Sequence, residues 1–202
     1  MKKTILIFMT TILLIACSDD SNPGDGLPPE TQTGANTFGC LIDGKLLVPR
    51  SGNNNIVNPL WGAALWGSGM VNPNAYFELE IIDYKSQYTA SFLLHMEDVY
   101  LNGIGDYVID ESNGMNSSDG LDHNYLHCII FDKNTNSFQK YVSYENSGAF
   151  KINYLSINEN RTIISGNFNC KVRNIQNPND EIEITSGRFD INSLTISQTY
   201  FP

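Results

Sequence analysis

Residues 38–48 read FGCLIDGKLLV, two short apolar runs on either side of Asp43-Gly44. An Asp-Gly pair between two such runs is typical of a two-residue β-hairpin, because a type I′ turn needs positive φ at both central positions. Pro49 follows the second run and ends it, since proline cannot donate a hydrogen bond to a β-ladder. The stretch therefore predicts two antiparallel strands at the start of the folded domain.

The rest of the chain continues this pattern. Runs rich in Tyr, Ile, Phe and Val alternate with clusters of Asn, Asp, Gly and Ser, and no long window shows a helical period. Phe77, Leu79 and Ile81 share one face of a predicted strand, and we expect Glu78 and Glu80 on its solvated face. Further strands are predicted at residues 89–96, 106–109, 125–131, 138–144, 149–157, 162–173 and 181–191. We expect an all-β fold, an antiparallel β-sandwich or partly open barrel of about ten strands.

The first residues predict export. A basic Met1-Lys2-Lys3 precedes an apolar run from Thr4 to Ala16, the pattern of a secretory signal peptide. The run is shorter than the roughly 20 apolar residues of a transmembrane helix, so we expect residues 1–16 to be removed.

The end of this segment, Leu14-Ile15-Ala16-Cys17, resembles the lipobox of bacterial lipoproteins. The resemblance implies cleavage before Cys17, diacylglycerol on its sulfur and acylation of the new amino end, for example by palmitate. Two or more acyl chains hold a protein stably on a membrane. The alternative is an ordinary secreted protein whose signal peptide contains Cys17.

Ser18, Asp19 and Asp20 follow at once and resemble the export signal of surface-exposed lipoproteins in Bacteroidota. They favour a location on the outer face of the outer membrane. The alternative is a plain polar tether, which would leave the anchored protein facing the periplasm. Residues 17–36 are poor in large apolar residues, so we predict a lipidated cysteine with a flexible tether there and a single domain over 37–202.

The chain is acidic, with a formal net charge of −10 at pH 7. Such a charge repels phosphate backbones, so we expect no nucleic-acid partner. A negative charge also gives no general attraction to an anionic membrane surface, so we expect the protein to be held on its membrane by the lipid.

Two segments resemble the two ends of a family of exported Bacteroidota lipoproteins of unknown function. They are NTFGCLIDGK at 36–45, and SGNFNC at 165–170 followed by IEITSGRFDI at 182–191. The resemblance implies an all-β exported domain and carries no catalytic residue. Gly39, Gly166 and Gly187 lie inside these predicted strands, where glycine indicates a bulge, a bend or a close approach of backbone.

With Cys17 assigned to lipid, three cysteines remain: Cys40, Cys128 and Cys170. If the first strand lies beside the late hairpin, Cys40 and Cys170 face each other and a disulfide between them is possible. The alternative is three buried free thiols that behave as small apolar groups.

The sequence predicts no metal site, no cofactor and no catalysis. His123 and His127 have a spacing that suits a metal on a helix, but on a strand they would lie about 13 Å apart, too far to share zinc. Asp119 and Asp122 could contribute to a calcium loop, and turn chemistry explains them equally well. Ser68 lacks the glycine spacing of a nucleophile elbow.

Candidate ligand-binding residues are Trp61, Trp66 and Tyr76, in or beside a long Gly/Asn-rich connection at 51–74. Exposed aromatic rings with Asn and Asp nearby would suit sugars. The alternative is that both tryptophans plug the end of the sandwich as core.

Taken together, these features predict a lipid-anchored, non-catalytic binding or structural module on the outer membrane, with a glycan or a surface protein as a possible partner. One alternative is a surface glycan-binding protein of a polysaccharide-uptake system. Another is a lipocalin-like carrier with an apolar cavity lined by Phe150, Tyr154 and Phe168.

Overall fold

A computed structural model describes residues 26–53, 59–67, 76–87, 89–133, 135–158 and 161–202, without the side chains of residues 89 and 90. The predicted signal peptide, lipidated Cys17 and export signal Ser18, Asp19 and Asp20 lie outside the described residues. Within these ranges, no helix has both the length and the apolar character needed to cross a bilayer.

The predicted all-β fold is confirmed. In chain order the strands are β1 (Thr37–Ile42), β2 (Lys45–Leu47), β3 (Ala63–Gly67), β4 (Tyr76–Ile82), β5 (Thr89–Glu97), β6 (Gly105–Ile109), β7 (Tyr125–Asp132), β8 (Ser137–Val142), β9 (Gly148–Asn158), β10 (Arg161–Asn174) and β11 (Glu181–Asn192), with a short helix α1 (Val99–Asn102) between β5 and β6.

The first hairpin forms as its sequence predicts. Asp43 has φ 48° and Gly44 has φ 71°, the two positive values that a type I′ turn requires. The turn sets the register of β1 against β2, in which Cys40 lies opposite Leu47.

The eleven strands described form one sheet whose named strand pairs are all antiparallel. Nine of them follow one another in the order β2-β1-β11-β10-β8-β7-β5-β4-β3, and β6 and β9 lie off this path. The long strand β10 pairs along most of its length with β9, and β6 pairs with the far side of β9. Only the last residues of β10 pair with β8. The sheet therefore branches at β10 and is not closed into a barrel.

Phenylalanine side chains from both halves of the sheet meet in the core. The ring of Phe92 on β5 lies 5.1 Å from that of Phe38 on β1 and 5.3 Å from that of Phe168 on β10. The layer that contains β5 thus packs face to face against the layer of β1, β10 and β11. Phe150 is also buried and stacks on Tyr107 at 4.8 Å. Side chains fill the interior at Phe150 and Phe168, two of the positions where a carrier cavity would lie.

The described cysteines Cys40, Cys128 and Cys170 are buried free thiols. Strand β11 lies between β1 and β10, since Ile184 pairs with Ile42 on one side and Cys170 on the other. Two strand spacings are about 9.5 Å, beyond the separation that a disulfide spans. The structure therefore does not form the possible Cys40–Cys170 bridge. Burial raises the pKa of Cys128 and raises that of Cys170 to about 12.

The packed part of the chain extends upstream of Thr37, into the segment predicted as tether. The buried carboxylate of Asp190 on β11 accepts hydrogen bonds from Thr31 Oγ1 at 2.7 Å, from the Gly34 amide at 2.8 Å and from Ser165 Oγ at 2.6 Å. The amides of residues 33 and 35 donate to it as well. Burial alone would raise the pKa of Asp190, but these donors outweigh burial and lower it.

Candidate binding site

Four side chains form one row across β3, β4, β5 and β7. In the strand register, Trp66 lies opposite Glu78, Glu78 opposite His95, and His95 opposite Tyr125. Directly opposed residues of antiparallel strands point to the same face of a sheet. Leu79 belongs to the buried core, so the row of its neighbour Glu78 lies on the other face of this layer.

Glu78 is buried within this row, so the prediction that it lies on a solvated face is wrong. Residues 111–124, here called the covering loop, lie over it. The Ser117 amide donates to Glu78 Oε1 at 2.6 Å and Ser117 Oγ donates to Oε2 at 3.1 Å. The hydroxyl of Tyr125 donates to Oε1 at 3.3 Å. Both carboxylate oxygens of Glu78 are therefore occupied.

His95 lies between two carboxylates and two aromatic rings. Its Nδ1 is 2.9 Å from Glu78 Oε1 and its Nε2 is 3.0 Å from Glu97 Oε2. The imidazole stacks on Tyr125 with ring centroids 4.4 Å apart and on Tyr76 at 4.8 Å. His95 points away from the core, as the alternation of its strand predicts, but it is buried.

These contacts set the electrostatics of the row. Burial alone would raise the pKa of Glu78, but the hydrogen bonds from His95 and Ser117 outweigh burial and lower it. Burial raises the pKa of Tyr125, and the negative charge of Glu78 adds to the effect. Glu78 is thus held as a carboxylate and Tyr125 as a neutral phenol.

The covering loop is fixed by specific contacts. Ser117 has φ 53°, a left-handed conformation that serine rarely adopts, and its bonds to Glu78 hold it there. A Cβ atom on Gly120 would overlap the hydroxyl of Tyr125, so only glycine fits at this position. Lys140 Nζ donates to the Gly114 carbonyl at 2.6 Å.

The two histidines with metal-like spacing lie in different environments. His123 is partly exposed, and its Nε2 lies 2.7 Å from the Glu111 carbonyl. His127 is buried, and its Nδ1 lies 3.3 Å from Ser112 Oγ. Burial, reinforced by the nearby Lys140 charge, lowers the pKa of His127 to about 4. Among the residues described, no cluster of three or more His, Cys, Asp or Glu side chains could hold a metal ion.

Trp66 ends the row at the edge strand β3 and reaches solvent, since 56% of its surface is exposed. Its Nε1 donates to Glu80 Oε2 at 3.1 Å, which orients the indole. Tyr76 is half-buried against His95, and Trp61 is half-buried just before β3. The alternative that both tryptophans plug the sandwich end is therefore wrong for Trp66.

No known protein family, curated protein or solved structure matches this chain.

The geometry favours contact with a ligand over proton transfer. Neither ring nitrogen of His95 is free to face a substrate, and both oxygens of Glu78 accept bonds from within the protein. Trp66, by contrast, offers an aromatic surface to solvent beside the carboxylate of Glu80. An oriented indole with an acceptor at its edge can bind a ligand that has an apolar face and hydroxyl or amine donors.

Sequence analysis selected Trp66 and Tyr76 but missed their supporting residues. Glu80 orients Trp66, and His95 supports Tyr76, yet both occupy ordinary polar positions of alternating strands. The strand register places Glu78 opposite both Trp66 and His95, and it would have shown that these residues lie together. A single sequence does not reveal the strand register.

Proposed function

We propose that this protein is a non-catalytic binding module, held on the outer membrane through lipid on Cys17 and facing the cell surface. The observation that carries the proposal is the state of Trp66. An indole that is 56% exposed, yet held by a hydrogen bond to Glu80, is a contact surface prepared before a ligand arrives.

The buried row beside Trp66 supports a non-catalytic role. A general base needs a lone pair that can reach the substrate. His95 and Glu78 instead satisfy each other, and Ser117, Tyr125 and Glu97 complete the network. Such a network makes the platform under the binding surface rigid.

A glycan is the ligand class that this surface favours. A pyranose ring has an apolar C–H face that can lie on the exposed face of Trp66, and its hydroxyls can donate to Glu80 beside it. Trp66 lies on the edge strand β3 and Glu80 on its neighbour β4, so both groups are at one edge of the sheet.

A glycan array tests this proposal. The probe is the whole chain from residue 17 with Cys17→Ser, because residues 31–35 pack against Asp190 and must be kept. Binding to at least one saccharide, lost in Trp66→Ala, is expected. Phe138→Ala, at another exposed aromatic position, is the matched control and should bind as the parent does. An array without signal would contradict a glycan-binding function.

The location is tested separately on intact cells. Replacing Asp19 and Asp20 by alanine should leave the lipidated protein facing the periplasm, so that added protease no longer removes it. Cys17→Ala should release the protein from the membrane fraction. If external protease still removes the Asp19→Ala, Asp20→Ala protein, the two aspartates are not an export signal and belong to a plain tether.

A further inference from the structure

The point where the described chain begins lies beside a distinct surface. A Cβ atom on Gly26 would lie 2.7 Å from Leu46 Cδ2, so the chain enters the domain against the β1–β2 hairpin. A cavity of about 240 Å³ is lined by this first segment, residues 48–50 and the C-terminal Phe201. Phe201 is tied to Ser51 by hydrogen bonds of 2.9 Å and 3.1 Å. The N-terminal segment, the hairpin and the C-terminal residues therefore meet at one end of the domain.

Exposed apolar and basic side chains surround this point. Leu46, Tyr84 and Tyr200 are each about 40–50% exposed, and Lys85 lies 5.8 Å from the ring of Tyr200. The Tyr84 amide is bonded to the Arg50 carbonyl, which places it at the same end. We call the set Leu46, Tyr84, Lys85 and Tyr200 the anchor-side surface. Tyrosine, leucine and lysine together are typical of protein that contacts a membrane interface.

The length of chain that precedes Gly26 decides what covers this surface. Fully extended, the residues from Cys17 to Gly26 reach at most about 30 Å, less than the roughly 40 Å width of a domain of this size. A lipid on Cys17 therefore holds the Gly26 end of the domain near the bilayer.

We propose that the anchor-side surface rests on the phospholipid bilayer beside the lipidated Cys17. The proposal rests on the lipid anchor of the proposed function. Leu46 and the two tyrosine rings enter the headgroup region, and Lys85 contacts anionic lipid. The domain is acidic overall, so a lysine at this end favours the approach of this face to an anionic surface.

Position-specific quenching tests the orientation in the acylated full chain. A bimane label is placed on Tyr200→Cys, or on Leu101→Cys as the control, in vesicles of phosphatidylethanolamine and phosphatidylglycerol with spin-labelled headgroups. The native thiols other than Cys17 are buried and do not compete for the label. We expect strong quenching at residue 200 and little at residue 101, which follows β5 at the end away from Asp83. Equal quenching at the two positions would overturn the proposal.

A second measurement separates this surface from the anchor itself. The chain with Cys17→Ser is sedimented with the same vesicles at low salt. Lys85→Gln should weaken binding about fivefold, and the triple variant Leu46→Ser, Tyr84→Ser, Tyr200→Ser should remove most of it. The matched control changes three exposed apolar residues elsewhere, Leu101→Ser, Ile104→Ser, Val108→Ser. Equal loss of vesicle binding in both triple variants would contradict membrane contact through the anchor-side surface. If mass spectrometry of the mature chain showed no acyl groups, only the lipid anchor of the proposed function would be contradicted.

Discussion

His95 Nδ1 lies 2.9 Å from Glu78 Oε1, with both side chains buried on the outward face of the sheet. Burying a carboxylate is costly unless hydrogen-bond donors satisfy its oxygens. Here the covering loop supplies the missing donors through Ser117. The pair thus joins two strands to a loop that is distant in sequence.

Replacing the carboxylate should destabilise the domain. Glu78→Gln leaves His95 and Ser117 without their charged acceptor, so we expect a loss of about 3 kcal/mol in the free energy of unfolding, measured by urea denaturation at pH 7. Since the pKa of Glu78 is lowered from 4.5 by folding, its ionised form stabilises the protein above that pH. This contribution disappears as the pH falls through the lower, folded-state value. Glu183→Gln, at an exposed position, should change stability by less than about 0.5 kcal/mol.

His127 should give the domain a second pH dependence. Its pKa of about 4 lies below the ordinary value of 6.5, so on acidification the unfolded chain takes up the proton first. Stability should therefore fall by about 3 kcal/mol between pH 6.5 and 4 on account of this residue. His127→Gln should flatten the stability profile in this interval, and His123→Gln should not. An NMR titration midpoint for His127 near 6.5 would contradict its burial as a neutral imidazole.

Asp190 should control the docking of residues 31–35. Asp190→Asn places an amide NH2 group where several donors now converge, so we expect a loss of about 3 kcal/mol. Amide hydrogen exchange at residues 33–35 should become faster than in the parent. Asp106→Asn, at a site whose side chain is 78% exposed, is the control. Unchanged exchange in Asp190→Asn would mean that other contacts hold this segment.

Gly187 tests the packing of the late hairpin. A Cβ atom there would lie 2.5 Å from the ring of Phe168, so Gly187→Ala should cost about 1–3 kcal/mol. Gly105→Ala meets no atom within 4 Å and should be neutral or slightly stabilising. Thermal unfolding of the two variants side by side gives the comparison. Equal melting temperatures would show that Phe168 can move aside.

Local patterns predicted most of the fold. The Asp43-Gly44 turn forms as expected, and residues 76–82 form a strand with Leu79 and Ile81 facing the core as expected. Strand β3 was missed inside the predicted connection at 51–74, because AALWG is short, rich in alanine and free of β-branched residues. It becomes a strand by pairing with β4, a contact that its own sequence does not encode.

The site was less predictable, because its contacts are distant in the chain. Glu78 has the pattern of a solvated residue, and it is covered by a loop whose Ser117 lies 39 positions away in the chain. The cysteine pairing likewise depended on strand order, and β11 separates the strands that were taken as neighbours. Trp66 was selected because it was expected in a polar connection, where binding residues concentrate, and the structure places it on strand β3 instead.

The central claim, that Trp66 forms the ligand contact, is tested most directly by calorimetry with the saccharide that gives the strongest array signal. Stacking on an aromatic ring is worth about 1–3 kcal/mol, so Trp66→Ala should weaken binding at least about tenfold with unchanged stability. Trp66→Phe should retain much of the affinity. Glu80→Gln, which keeps an acceptor for the Trp66 indole, should have a smaller effect. Binding of Trp66→Ala with the affinity of the parent chain would contradict the account.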